Sequence, residues 1–275
     1  MKVVCYTVLV GGYDTLRDPS YLSENWDYVC FTNQPLKTCS VWKARPLKKV
    51  IDADAIRTCR WHKMHTHLLF PEYELSIYID ANVQITGPHL ESRLNQFITD
   101  NTLLALPPHP QRTCVYDEVD ECIQTHRDCA VRIRNMEQLL KAENFPRQAG
   151  LFENNLIFRA HNHPGIVRLN VAWWDLIITY SRRDQLSLTY LLWKHRIDAE
   201  FIVSAGRTIR DYPGYRYRLH KHLCQADALP KRPKLARFVS IWIPVRRWRH
   251  TARDALSGPA FRKTTSLQEG ALPRQ

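Results

Sequence analysis

The sequence predicts an α/β fold: a mixed, mostly parallel central sheet flanked by helices, followed by a basic C-terminal extension. Three observations carry this. Short β-branched apolar runs alternate with helix-length segments, the pattern of a sheet covered by helices. Two of those runs end on Gly11-Gly12 and on Asp80-Ala81-Asn82, as strands do where they leave a sheet. The charge is uneven: of a net +12, residues 230–275 hold +9, with eleven Lys/Arg against Asp254 and Glu269, which leaves +3 for residues 1–229. A globular domain is therefore expected over 1–229, a basic amphipathic segment over 230–256 and a disordered tail over 257–275.

The elements follow in order. Val3–Val10, Trp26–Thr32 and Val41–Arg45 read as strands, and residues 54–70 as one helix closed by Pro71. Leu75–Ile79, Val83–Ile85 and Thr102–Leu106 resume strand character around a helix at His89–Ile98. Tyr116–Glu143 has a long helical pattern, Asn155–Arg159 is a strand, and helices are expected over Pro164–Ser181 and Asp184–Lys194. Phe201–Ser204 is read as the last strand.

No run of about 18 apolar residues is present, so no membrane-spanning helix is expected. The apolar start is short and lacks a small-residue cleavage site, which argues against a signal peptide. The eight cysteines form no Cys-x-x-Cys pair, so they read as reduced thiols rather than a zinc site or a disulfide framework.

Several groups carry chemistry. Gly11, Gly12, Tyr13 and Asp14 follow the first strand, where ligands bind in open α/β sheets; the glycines would let the backbone approach a ribose or base, Tyr13 would stack and Asp14 accept. Without a ligand the same residues make an ordinary turn. Asp80, Ala81 and Asn82 place two oxygen-bearing side chains at i and i+2, which suits a hard cation, although Asp and Asn also simply end strands. Arg57, Arg60, Lys63 and His67 share one helical face that would clamp phosphates or be merely solvated. Asp184 and Gln185 open a helix; Asp184 is either a helix-start residue or a carboxylate in a cleft. Glu153 precedes a strand, and His109 and Arg112 lie in the pattern His109-x-x-Arg112-x-x-x-Tyr116-x-Glu118.

Taken together, Tyr6-Thr-Val-Leu-Val-Gly-Gly-Tyr-Asp14, Trp26-Asp-Tyr-Val-Cys-Phe-Thr32, Leu69-Phe-Pro71, Ser76-Ile-Tyr-Ile-Asp-Ala-Asn82, His109-x-x-Arg112, Gly150-Leu-x-Glu153, Arg159-x-His161-Asn162, Trp173-Trp174 and Ser181-Arg-Arg-Asp-Gln-Leu-Ser187 resemble one family. It is the glycosyltransferase-like family formerly called domain of unknown function 616, found in plant and bacterial polysaccharide-related proteins, and the resemblance covers roughly residues 3–204. It implies a GT-A-like fold with Asp80-Ala81-Asn82 in the place of an Asp-x-Asp motif, the neutral Asn82 standing where many transferases have a carboxylate. A divalent cation, Mn or Mg, would sit at Asp80 and Asn82 with His220 or His222 as a late ligand. Asp184 and Gln185 resemble an acidic-Gln pair lining the acceptor side.

The implied function is transfer of a sugar from a nucleoside diphosphate sugar to a hydroxyl of a glycan or lipid-linked acceptor, in capsule, lipopolysaccharide or similar polysaccharide synthesis. The leaving diphosphate would be stabilised by a metal or by Arg60 and Lys63. Asp184 is the first choice as the base and Glu153 the second. The arginine-rich segment before residue 256 suits an anionic membrane surface, which would make the protein cytoplasmic and peripheral on the inner face of the membrane. The rival reading is a non-catalytic protein whose tail binds nucleic acid or anionic glycan. The tail's aromatics sit among aliphatics rather than spaced for base stacking, so nucleic acid is not the expected partner.

Overall fold

The computed structural model describes residues 1–12, 14–36, 39–204 and 206–219. The expectations placed on Tyr13, on His220 and His222, and on the basic segment and tail lie outside the described residues.

The centre is a seven-stranded sheet. Its strands are β1 (Val3–Leu9), β2 (Trp26–Thr32), β3 (Lys43–Arg45), β4 (Leu75–Ile79), β6 (Leu104–Leu106), β7 (Leu156–Arg159) and β8 (Glu200–Phe201), in the order β3-β2-β1-β4-β7-β6-β8. A separate ribbon pairs β5 (Val83–Ile85) with β9 (Tyr215–Tyr217). In the main sheet every pairing is parallel except the two made by β7. Six strands therefore run one way, and β7 alone runs against them. β1 and β4 are buried along their whole length, the near-continuous apolar character of strands covered on both faces.

Alternating side chains send two clusters to opposite faces of the sheet. Val4, Tyr6, Val8, Tyr78 and Ile157 pack under five helices: α1 (Ala55–Met64), α4 (Val115–Gln124), α5 (Ala130–Ala142), α6 (Pro164–Thr179) and α7 (Gln185–His195). Cys5, Ile77, Ile79 and Phe158 face the other way, against α3 (His89–Thr99) and the β5–β9 ribbon. The expected mixed, mostly parallel sheet flanked by helices is what forms.

Two expected long helices are broken. Residues 54–70 form α1 and a short α2 (Thr66–Leu69) on either side of His65, whose backbone leaves the helical region (φ −104°, ψ 38°) and whose ring stacks on Trp61 at 4.5 Å. Asp54 caps α1 by accepting from the Arg57 backbone N–H at 2.8 Å. Residues 116–143 divide into α4 and α5 around His126, which takes a positive φ of 52°. The last sheet strand is Glu200–Phe201 rather than residues 201–204, and β9 had no counterpart in the sequence reading. Among the described residues no helix is long and apolar enough to cross a membrane.

Candidate functional site

The direction of the strands gathers the site. The exits of β1, β4 and β6 share one edge of the sheet, and because β7 is reversed, its entry lies on that same edge. Gly11, Gly12 and Asp14 follow β1, Asp80 follows β4, His109 and Arg112 come after β6, and Glu153–Asn155 lead into β7. Crevices outside the carboxyl ends of parallel strands are where α/β sheets bind ligands.

Gly11 and Gly12 have φ of 76° and 69°, the left-handed region that favours glycine. Among the described residues, chain neighbours aside, a Cβ built on Gly12 would meet nothing within 4 Å.

At the centre of the edge lies a cluster of two cations and two carboxylates. Lys63, 1% exposed, donates from Nζ to Asp184 Oδ2 at 2.6 Å, and Arg60 Nε lies 3.2 Å from the same oxygen. The Lys63 ammonium also sits 4.7 Å from the centre of the Tyr78 ring. The Tyr78 hydroxyl donates to Asp80 Oδ1 at 2.6 Å, so the buried phenol fixes the orientation of that carboxylate. The terminal Nη atoms of Arg60 make no hydrogen bond among the described residues, and its side chain keeps 15% exposure.

Asp184 immediately precedes α7, whose residues 185–192 are all buried, and this carries the carboxylate inside the fold. Its side chain does not cap the helix; it is turned to Lys63 and Arg60. Burial alone would raise its carboxyl, but the positive charges of Arg60 and Lys63 outweigh that and leave it near about 2. It is a firmly ionised ion-pair partner. Burial drives the Lys63 ammonium down, Asp184 opposes that, and the net shift is downward.

Glu153 has the opposite balance. Burial raises its carboxyl above the ordinary 4.5 and Arg210 pulls it only part of the way back. Oε1 accepts from Arg210 Nε at 2.9 Å and from Nη2. Oε2 is buried beside Asn155 without a regular hydrogen bond, and next to it both polar atoms of the Asn154 amide are buried and unpaired. Buried polar atoms without partners cost stability unless something else satisfies them.

A second network adjoins. Glu118, 2% exposed, accepts from Arg112 Nε at 2.6 Å and lies 3.7 Å from both His109 Nε2 and Arg183 Nη2. Burial above all, with Arg112, Arg210 and Arg183 adding to it, lowers the His109 imidazole to about 4, so it is neutral at pH 7. Its Nδ1 accepts from the Arg112 backbone N–H at 3.0 Å. Gln185 bridges the two regions, accepting from Arg183 at 2.7 Å and donating to the Phe152 carbonyl at 3.3 Å.

Of the residues read from the sequence, Arg60, Lys63, Asp80 and Asp184 thus meet in one cluster, with Glu153, Gln185, His109 and Arg112 around it. Ala81 packs into the apolar core. Asn82 is 4% exposed and donates from Nδ2 to the Arg218 carbonyl at 2.7 Å, tying the end of β4 to β9. The sequence reading missed Arg210, which holds Glu153, and Tyr78, which holds Asp80. It also gave no role to Arg159. That side chain is fully buried and donates to the Lys63 carbonyl at 2.8 Å and to the Tyr6 hydroxyl at 2.8 Å, latching the end of α1 onto the sheet. Its signals were an arginine closing the apolar run Leu-Ile-Phe-Arg and its place in the motif Arg159-x-His161-Asn162.

With His220 or His222 as a late ligand, both outside the described residues, a divalent cation at Asp80 and Asn82 was the expectation carried by the resemblance. The pair supplies one carboxylate, that carboxylate already accepts from Tyr78, and the nearest charged groups include two cations. Among the described residues no three His, Cys, Asp or Glu side chains gather as a metal-ligating group. By themselves Asp80 and Asn82 do not fit a site for a hard divalent cation, which takes several anionic oxygens.

A family model described as TOD1/MUCI70, glycosyltransferase-like domain, matches residues 1–206. No curated protein matches the chain. Among solved structures, the apo form of the bifunctional glycosyltransferase WbbM is similar with a TM-score of 0.40 and 11% identity, over 73% of this chain and 38% of that one. The chain therefore spans well under half of WbbM.

Proposed function

Since the chain belongs to the TOD1/MUCI70 glycosyltransferase-like family, we propose that it transfers a sugar from a nucleoside diphosphate sugar to a hydroxyl of a glycan or lipid-linked acceptor, on a GT-A-type sheet. The observation that carries this reading is the Arg60–Lys63–Asp80–Asp184 cluster at the shared strand edge, beside the two-glycine turn. The ribose and base of a uridine or guanosine nucleotide would lie against this turn, and the terminal guanidinium nitrogens of Arg60, which make no hydrogen bond among the described residues, would meet the diphosphate.

In this reading the acceptor oxygen bonds to the anomeric carbon as the bond to the diphosphate breaks, and its electron pair leaves with the phosphate. Stabilising that developing charge is the main electrostatic task. The acceptor proton passes to a carboxylate. Glu153 is better suited than Asp184, because its carboxyl is raised and one of its oxygens has no regular partner, whereas Asp184 is held ionised by two cations. Asp184 then acts as a positioning residue for Arg60 and Lys63, and Gln185, His109 and Arg112 line the acceptor side.

The test is a panel of nucleotide sugars assayed by thermal shift and turnover. A ligand that binds the native state raises the melting temperature. Asp80→Ala is expected to keep the fold and lose turnover; activity near that of the wild type would place the site elsewhere.

A further inference from the structure

We propose that the donor's diphosphate is held by the protein's own cations, by Arg60 in direct contact and by the field of the buried Lys63 beside it, and that sugar transfer by this chain proceeds without a divalent cation. The inference rests on the donor reading above and names how that site handles charge.

A metal-bridged diphosphate site must present net negative charge to attract the ion. Here the two carboxylates of the cluster, Asp80 and Asp184, are matched by two cations. A divalent ion brought to Asp80 would meet the fields of both cations in a partly buried setting, where such repulsion is screened far less than in water. Asn82 adds no charge, and its amide nitrogen is committed to the Arg218 carbonyl.

The same arrangement suits an anion. Among the described residues Arg60 makes one close contact to a carboxylate, through Nε, and its two terminal nitrogens make no hydrogen bond. Paired guanidinium N–H groups match phosphate oxygens in bidentate geometry. Asp184 braces both cations from behind, so they are already in place when the donor arrives and little ordering is required on binding. Arg159 fixes the backbone of Lys63 from the sheet side. The cations are therefore built into the core of the domain rather than carried on exposed side chains.

The experiment uses the full chain, treated with EDTA and then titrated with UDP and with GDP by calorimetry in two arms, one with EDTA and one with Mn2+ or Mg2+. Affinities that agree between arms within about threefold support the proposal. So does a loss of roughly tenfold or more in both arms for Arg60→Ala, the scale expected for losing charge-assisted hydrogen bonds. Arg60→Lys, which keeps the charge without the fork, should recover part of that loss, and circular dichroism verifies that both variants are folded. Binding that requires Mn2+ or Mg2+, and is abolished by EDTA, overturns the proposal while leaving the donor reading in place. No binding of either nucleotide to folded protein in either arm overturns the donor reading, and the proposal with it.

Discussion

Lys63 and Asp184 stand 121 positions apart in sequence and meet at 2.6 Å, with both side chains almost wholly buried. The contact joins the end of α1 to the start of α7. It commits Asp184 to an ion pair, and so changes what that residue can do.

The pair predicts an acid response. The Asp184 carboxyl lies near about 2 in the folded protein against an ordinary 3.8. Its stabilising contribution is therefore fully present above about pH 4 and is lost as pH falls through about 2, because in that window the unfolded chain binds more protons. Melting temperatures measured from pH 5 to pH 2 should fall more steeply for the wild type than for Asp184→Asn, which should already be less stable at pH 7. Parallel curves would contradict the assignment.

Removing only one partner should be worse than removing both. Lys63→Met leaves Asp184 buried with Arg60 alone, a change expected to cost about 3 kcal/mol. The double variant Lys63→Met, Asp184→Leu should regain much of that stability in urea unfolding while nucleotide binding stays weak. A double variant as unstable as the single one would show that the pair holds the fold together in some other way.

Glu153 gives a prediction about rate. A base must be deprotonated to work, so kcat/KM should fall on the acid side with a limb above the ordinary 4.5, as burial dictates. Arg210 lowers that value, so Arg210→Ala should move the limb to higher pH. Glu153→Gln should remove the limb and reduce kcat by about 10²–10⁴. A limb that ignores Arg210→Ala would exclude Glu153 as the group being titrated.

Gly12→Ala separates backbone from contact. Among the described residues, chain neighbours aside, no atom lies within 4 Å of the added Cβ, so the stability cost should be that of a left-handed residue, about 1 kcal/mol. If a nucleotide lies against this turn, affinity should fall by more than stability does. Comparing the dissociation constant for UDP or GDP with the unfolding free energy settles the point.

The sheet was legible because β1, β2 and β4 are apolar runs of strand length with turn residues behind them. The helix break at His65 was not, since it depends on a ring stacked on Trp61 rather than on a proline or glycine. The ribbon strand Tyr215–Tyr217 is defined by pairing with Val83–Ile85, 130 or more positions away, which no local pattern encodes. Arg60, Lys63, Asp80, Asp184 and Glu153 could each be named from sequence, but their roles could not be ranked. The ranking comes from which carboxylate the cations reach, and that depends on a contact between α1 and the start of α7 across 121 positions of sequence. Arg210 sits in irregular chain with no flanking pattern and was invisible.

The reversed strand has a consequence for how the chain is made. During synthesis β4 appears early, with β1 on one side and its other edge open, and that edge belongs to β7. At ribosomal speeds of roughly 5–20 residues per second, the apolar segment Leu75–Ile79 waits on the order of ten seconds for Leu156–Arg159 to emerge. Through that interval it presents unpaired backbone of the kind that recruits foreign strands. Stalled or truncated products ending before residue 156, which lack the strand that covers this edge of β4, are the species expected to be enriched in aggregates.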